Sequence, residues 1–212
     1  MPRTLGLVSR LSMVILAVLA LSISGLANPA RADTGSPSAP SPTATQTAHW
    51  ALSPAASASS GRSAAPSPTA AVVWAACGVF DPATKIVRAF TRVRTLPGTV
   101  PYMAGGTSNL GCGSATGWGY RHIVAEHLSQ WESDAAIASE NWRDLADFAI
   151  AAALGDPDKT TYRSTNQLYC FSRLIYLIDN STGQVVATRK PIVTVALVTK
   201  NIITAYPTNS GC

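Results

Sequence analysis

The sequence predicts an α+β fold, with two or three N-terminal helices packed on a C-terminal antiparallel β-meander of about four strands. Three observations lead to this prediction. Apolar residues repeat at helical spacing between Trp142 and Leu154, they alternate with a period of two after Gln167, and the helical segments come before the strand segments. Separation of helices and strands along the chain favours an antiparallel sheet over repeated βαβ units.

The first predicted helix runs from about Tyr120 to Trp131, with the apolar residues of that segment on one face. A second helix follows Asn141, whose side chain is suited to an N-cap. The segment Gly155-Asp156-Pro157 is predicted to end this second helix. Its apolar stripe is assigned to the core, so we expect no chemistry from it.

Two predicted hairpins follow the helices. Gln167–Ile178 is predicted to be one strand, Asp179–Gly183 a turn, and Gln184–Arg189 the returning strand. Ile192–Thr199 and Ile202–Tyr206 are predicted to form the second hairpin.

Two segments before the helices are less regular. Lys85–Arg94 fits either a short helix or a strand, and its four cations fit either phosphate binding or a charged edge that discourages aggregation. The glycine-rich residues 97–119 are predicted to be a long loop that a disulfide at Cys112 staples down.

The N-terminal part of the chain is predicted to lie outside the folded domain. Arg3 and Arg10 precede a short apolar run, and a small-residue site follows at Ala30-Arg31-Ala32, so residues 1–32 are predicted to be a signal peptide. A membrane anchor is the alternative, but a spanning helix needs roughly 20 apolar residues and this run is shorter. We therefore expect a secreted, extracellular protein with no membrane attachment after signal cleavage.

The rest of the chain divides into two regions. Residues 33–70 consist mostly of Ser, Pro, Ala and Thr, so they are predicted to be a disordered linker. Residues 71–212 are predicted to be the folded domain. His49 lies in the predicted linker and is therefore not considered catalytic.

Charge is distributed unevenly. Residues 1–32 hold three of the sixteen Lys and Arg residues and no acid, which leaves 13 bases against 11 acids and a net charge of +2. His122 to Asp158 contains eight acids and one base, whereas Lys159 to Cys212 contains six bases and one acid. The strand region is therefore predicted to present a basic face to an anionic ligand, with an ordinary solvated surface as the alternative.

Four cysteines form an even set, and an even set in an exported chain predicts two disulfides. Three connectivities are open, and the spacings do not fit a zinc site. The cysteines are Cys77, Cys112, Cys170 and Cys212.

The residues available for chemistry suit metal-free acid–base cleavage of a phosphodiester. His122 and His127 lie on the first predicted helix, and Thr204 and Tyr206 lie two residues apart on the last predicted strand. An imidazole can take the proton of a ribose 2′-OH, a second group can protonate the leaving oxygen, and cations and hydroxyls can stabilise the phosphate. Glu126, one helical turn from His122, is predicted to orient it.

Three cations complete the predicted site. Arg121, Arg163 and Lys200 are predicted to bind the substrate, and Arg163 or Lys200 would replace His127 as a charge stabiliser if His127 faces the core. His127 and Tyr206 each fit a structural role as well as a functional one. No metal and no cofactor are expected, because the spacing of the two histidines does not fit a His-Glu-x-x-His zinc motif.

Several motifs resemble those of the bacterial EndoU-type toxin ribonucleases, within the barnase–EndoU–colicin–RelE superfamily. They are Gly-x-x-His-Ile-x-x-x-His at 119–127, Asn-Trp-x-x-x-x-Asp at 141–147 and Ile-Thr-Ala-Tyr-Pro at 203–207. The resemblance covers about residues 117–208. It implies that the two histidines are catalytic, that Thr204 contacts phosphate and that Tyr206 stacks on or orients a base. In that family the second histidine usually lies further along the chain, in a glycine-rich segment.

The sequence therefore predicts a secreted, toxin-like endoribonuclease that acts without a metal and leaves 2′,3′-cyclic phosphate ends. Its expected partners are RNA and a cognate immunity protein. The alternatives are a secreted, non-catalytic binding or surface module, and an inactive relative with the same fold.

Overall fold

The computed structural model describes residues 46–54 and 74–212. The described residues form nine strands and two helices. In chain order these are β1 (Ala48–Ala51), β2 (Ile86–Arg92), β3 (Gly106–Gly111), α1 (Gly119–Ile137), α2 (Trp142–Gly155), β4 (Lys159–Arg163), β5 (Leu168–Ser172), β6 (Ile175–Asp179), β7 (Val185–Arg189), β8 (Ile192–Ala196) and β9 (Ile202–Tyr206).

The predicted arrangement of N-terminal helices on a C-terminal meander is wrong. Three strands precede the helices, which lie in the middle of the chain, and the described strands form three sheets. The sheets have the strand orders β1-β6-β7, β2-β3 and β4-β5-β8-β9, and every strand pair within them is antiparallel. Of the early strands, β1 has only four residues and β3 is rich in small and polar residues, so their periodicity in the sequence is weak, and pairing with other strands helps to stabilise them.

The segment predicted as a single strand over Gln167–Ile178 is two strands in different sheets. β5 pairs with β8, whereas β6 pairs with β7, so this part of the chain is one long hairpin that bends in the middle. The bend lies between the pairs Ser172–Ile192 and Ile175–Arg189. Pro191 lies at this level, and because proline has no backbone N–H it cannot continue the ladder of hydrogen bonds.

Part of the predicted linker is folded. β1 lies within residues 33–70, yet it pairs with β6, and Trp50 is 8% exposed opposite Leu177. A strand of four residues gives almost no periodic signal, so the Ser- and Ala-rich surroundings concealed it. The other residues of the predicted linker up to residue 70, and the predicted signal peptide of residues 1–32, lie outside the described residues.

The glycine-rich segment 97–119 is also more ordered than predicted, because it contains β3. This strand pairs with β2, which answers the question of whether Lys85–Arg94 is helix or strand. Leu110 of β3 is fully buried, and the following Cys112 lies in a disulfide. The predicted staple at Cys112 is therefore confirmed.

The core forms where α2 meets the four-stranded sheet. As predicted, α2 begins after Asn141, whose side-chain oxygen accepts a hydrogen bond from Arg143 N at 2.8 Å. The apolar face of α2 is buried with side chains of the central strands. This core includes Leu145, Ala149, Ile150, Ala153, Phe171, Val193 and Ala205.

Helix α1 is longer than predicted and packs along β9, the edge strand of that sheet. Trp131 is 1% exposed, and its indole N–H donates to the carbonyl oxygen of Ala205 at 3.1 Å. This bond fixes α1 against the edge and brings the first turns of the helix beside the end of β9. No helix within residues 46–54 and 74–212 has the length and hydrophobicity that crossing a membrane requires.

Two disulfides form, as the cysteine count predicts. They join Cys77 to Cys112 and Cys170 to Cys212, which selects one of the three open connectivities. The second disulfide holds the C-terminal tail on the four-stranded sheet. Two disulfides are compatible with an extracellular protein.

Candidate functional site

The candidate site begins at the tight loop that leads into α1. Gly113 and Gly119 have φ values of 62° and 79°, and a Cβ at either position would overlap a backbone carbonyl oxygen. Only glycine fits both the positive φ and the close approach of the backbone. The loop between them is closed by a hydrogen bond from Ser114 N to Trp118 O at 2.9 Å, and it directs the carbonyl of Ala115 towards α1.

That carbonyl fixes one ring of the site. The Nδ1 atom of His122 lies 3.0 Å from Ala115 O. A carbonyl oxygen can only accept, so Nδ1 carries the hydrogen, and in the neutral ring the lone pair is on Nε2. The carbonyl thus does the orienting that the sequence predicted for Glu126.

A second ring, that of His127, lies between α1 and β9. It stacks on the ring of Tyr206 with a centroid distance of 4.5 Å and an interplanar angle of 21°. Its Nδ1 lies 3.0 Å from Oε1 of Gln130, so Nδ1 donates and Nε2 is again the free nitrogen. His127 is therefore half-buried at the sheet edge rather than sealed in the core.

Burial lowers the pKa of His127 below its ordinary value. The hydrogen bond to Gln130 raises the pKa, the nearby His122 lowers it, and Glu126 raises it, in decreasing order of effect. The net direction is downward, so His127 favours its neutral form, which is the form that a general base needs.

The rings of His122, His127 and Tyr206 thus form one group, which we call the ring cluster. The two imidazoles meet edge to face with centroids 5.7 Å apart. Five residues turn an α-helix by about 140°, so this contact depends on the length of the side chains rather than on a shared helix face. Among the described residues, the Nε2 atoms of both histidines and the Tyr206 hydroxyl make no hydrogen bond.

Thr204 lies on the same face of β9 as Tyr206, since alternate residues of a strand point the same way. Its hydroxyl oxygen is nevertheless covered and has no hydrogen-bond partner within the described part of the chain. The opposite residue on β8, Thr194, is 2% exposed and its hydroxyl is likewise unpaired. Thr204 would have to rotate about χ1 before its hydroxyl could contact a phosphate.

The three predicted substrate cations lie away from the ring cluster or have other partners. Arg121 donates to the carbonyl oxygens of Gly113, Gly78 and Asp81 at 2.9, 2.6 and 2.8 Å, so it braces the loops before α1. Arg163 ends β4, the strand at the opposite edge of the sheet from β9. Lys200 donates to Leu197 O within its own turn.

A polar groove of about 440 Å³ adjoins the ring cluster. It lies between α1 and the C-terminal tail, and Gln130 and Pro207 link it to His127 and Tyr206. Its walls are Gln130, Ser133, Asp134, Arg189, Pro207, Thr208, Asn209 and Ser210. The roles of Gln130 and Arg189 were not predicted from the sequence. Only the i, i+3 spacing of His127 and Gln130 could have suggested that these two side chains are in contact.

Arg189 is the cation of this groove. It forms a bidentate ion pair with Asp134, through contacts of 2.8 and 2.7 Å, and so ties β7 to α1. The carboxylate side chain is 7% exposed and the guanidinium side chain 26% exposed. Both side chains line the groove, and the guanidinium is the more exposed of the two.

His49, the third histidine, lies in β1 and its Nδ1 is 2.6 Å from Oδ1 of Asn180. This contact joins β1 to the turn after β6, and it is separate from the ring cluster. Among residues 46–54 and 74–212 no three His, Cys, Asp or Glu side chains are close enough together to hold a metal ion.

The chain is similar to two curated proteins of Mycobacterium tuberculosis. They are "Uncharacterized protein MT0764" of strain CDC 1551 / Oshkosh and "Uncharacterized protein Rv0739" of strain ATCC 25618 / H37Rv. Each is 38% identical over 146 residues, which are 64% of this chain and 49% of the relative. The chain thus spans about half the length of these relatives, and neither name states an activity.

No protein-family model matches the chain. No solved structure matches it either.

Proposed function

We propose that the protein is a metal-independent endoribonuclease of the EndoU-like type, in which the ring cluster is the active site. The observation that supports this proposal is that two histidines lie side by side, each with Nδ1 bonded to the protein and Nε2 free. Fixing Nδ1 selects one tautomer and one orientation, which is what proton transfer through Nε2 requires.

His127 is the general base in this proposal. Its neutral Nε2 takes the proton of the ribose 2′-OH, and the 2′-oxygen attacks the adjacent phosphorus. A 2′,3′-cyclic phosphate forms as the bond from phosphorus to the 5′-oxygen breaks. The lowered pKa of His127 supports this role, because a base must be unprotonated at the start of the reaction.

His122 is the general acid. Its protonated Nε2 donates to the leaving 5′-oxygen, so one proton is taken up and one is released in the step. Tyr206 supports the base by stacking on the His127 ring, and its free hydroxyl is available to a phosphate oxygen or a base edge. RNA supplies its own nucleophile in the ribose 2′-OH, so the proposed reaction needs no serine or thiol nucleophile.

The test uses the purified protein with both disulfides formed, labelled RNA and EDTA. We expect cleavage to 2′,3′-cyclic phosphate ends, and we expect His127→Ala and His122→Ala each to reduce the rate by at least about 100-fold, the usual contribution of a general acid or base. His49→Ala is the matched control and should cleave at the normal rate. Cleavage that needs a divalent metal, or that survives both substitutions, would exclude this mechanism.

The same assay separates the enzyme from a non-catalytic module. A binding module would retain labelled RNA without shortening it, and the two histidine variants would bind as the wild type does. Toxicity and a cognate immunity protein depend on this activity. Growth inhibition is tested by expressing the wild-type chain and His127→Ala in bacteria whose cytosol is oxidising enough for both disulfides to form.

A further inference from the structure

The groove beside the ring cluster has features of a binding site that the proposed reaction does not itself use. Its volume of about 440 Å³ lies within the range of roughly 300–1,000 Å³ that is usual for ligand clefts. Two of its wall residues are bonded to, or adjacent to, the ring cluster: Gln130 accepts from His127, and Pro207 follows Tyr206. A molecule in the groove would therefore lie next to the ring cluster.

The chemistry of the walls suits a nucleotide. Gln130 and Asn209 carry side-chain amides, each of which can both donate and accept, as the edge of a base requires. Ser133 and Ser210 add hydroxyls, and no large apolar side chain lines the groove.

Arg189 adds a cation whose geometry is already fixed. Two of its N–H groups bond to Asp134, one bonds to Thr188 O at 2.9 Å, and another approaches Asn209 Oδ1 at 3.4 Å. A guanidinium has five N–H groups, so one is left without a partner among the described residues and the long contact to Asn209 is easily exchanged. These two N–H groups can bind a phosphate oxygen without breaking the ion pair with Asp134.

From these observations we infer that the groove binds the nucleotide adjacent to the scissile phosphate, so that the protein acts on single-stranded RNA longer than a dinucleotide. This inference rests on the proposed function, because the ring cluster defines where the scissile phosphate lies. In this subsite, Gln130 and Asn209 form hydrogen bonds with the edge of a base, and Arg189 binds the next phosphate.

The experiment measures binding apart from cleavage. The probe is a labelled RNA hexamer with 2′-O-methyl groups throughout, which lacks the nucleophile and cannot be cleaved. Its dissociation constant is measured by fluorescence anisotropy for the wild-type chain, Ser133→Phe and Asn209→Ala. We expect Ser133→Phe, which fills the groove from an exposed helix position, to weaken binding by about tenfold or more, and Asn209→Ala by several-fold.

Two matched controls test whether these effects belong to the groove. Ala136→Phe places the same ring at another exposed position of α1, and Asn166→Ala removes an exposed amide from the turn before β5. Both should bind the hexamer as the wild type does, and thermal unfolding checks that all four variants are folded. Normal binding by both Ser133→Phe and Asn209→Ala would overturn the inference.

Failure of the subsite and failure of the enzyme give different results. If the wild type cleaves RNA but both groove variants bind and cleave RNA normally, the ring cluster is supported as the active site and the groove is excluded as a subsite. If the wild type does not cleave RNA, and the groove variants bind the hexamer more weakly than the wild type does, the groove is supported as an RNA-binding site and the catalytic proposal fails.

Discussion

His127 has neighbours that move its pKa in opposite directions. Burial and the nearby His122 lower it, whereas Gln130 and Glu126 raise it. Since the lowering effects dominate, the pKa of His127 lies below the ordinary value of 6.5, and at a given pH a larger fraction of this ring is neutral than of an ordinary imidazole. The residue is thereby suited to act as a base in mildly acidic surroundings.

This balance predicts how activity depends on pH. A base works in its neutral form, so the rate of RNA cleavage should fall on acidification as the pH passes through the lowered pKa of His127, and the midpoint of this acid limb should lie below 6.5. Gln130→Ala removes a contact that raises the pKa, so its acid limb should move to still lower pH. The measurement is kcat/KM against pH, with Ser129→Ala as the control, and a shift to higher pH in Gln130→Ala would contradict the assignment.

The unpaired hydroxyl of Thr194 predicts an effect on stability. A buried hydroxyl without a partner costs roughly 1–3 kcal/mol, and valine has the same shape without the hydroxyl. We therefore expect Thr194→Val to raise the free energy of unfolding by about 1 kcal/mol, measured by urea denaturation.

Thr160→Val is the control for that substitution. The hydroxyl of Thr160 bonds to Leu96 N at 3.0 Å and to the Thr99 hydroxyl at 2.6 Å, so its loss should lower stability by about 1 kcal/mol. Equal changes at the two threonines would show that the Thr194 hydroxyl has a partner, such as a buried water.

Among the elements, α1 and β7 are joined by a single buried ion pair. Arg189→Met would leave the Asp134 carboxylate, 7% exposed, without its partner, so we expect a loss of about 3 kcal/mol in the free energy of unfolding. Adding Asp134→Leu removes the unpaired carboxylate and should restore much of the lost free energy of unfolding. Arg163→Met, at an exposed strand end, is the control and should change stability by less than about 0.5 kcal/mol; a double variant no more stable than Arg189→Met would refute this explanation.

The elements also show which sequence signals were sufficient. α2 could be predicted because its apolar period and Asn141 cap are local features, and both are present. β3 and β1 could not, because the segments Gly-Thr-Ser-Asn-Leu-Gly and Ala-His-Trp-Ala have little strand propensity and become strands only by pairing with β2 and β6. The bend in the long hairpin was not predicted, because the alternation of apolar residues continues from one side of residues 173 and 174 to the other.

For the whole molecule, the disulfide from Cys170 to Cys212 connects stability to the candidate groove. It closes a loop with a sequence separation of 42 residues, which corresponds to about 4 kcal/mol of stabilisation in the chain-entropy model. It also holds the C-terminal tail, which forms one wall of the groove. Removing it should therefore affect both folding and RNA binding.

The prediction compares the two disulfides. The double variant Cys170→Ser with Cys212→Ser should lose about 4 kcal/mol in the free energy of unfolding and also most of its affinity for the uncleavable hexamer. The double variant Cys77→Ser with Cys112→Ser opens a loop of similar size, a separation of 35 residues, and should lose similar stability but keep hexamer binding in the folded fraction. Equal losses of affinity would show that the tail has no special part in binding.

By itself, the sequence determined the local features of this protein: the α2 helix and its cap, the even set of cysteines, and which imidazoles and phenol were available for chemistry. The tertiary structure decided which disulfides form, how nine strands divide among three sheets, and that His122, His127 and Tyr206 meet. It also decided that Arg121 braces a loop while Arg189 lines the groove. The physical reason is that capping and helical periodicity act over a few residues, whereas strand pairing and side-chain contacts depend on residues far apart in the chain.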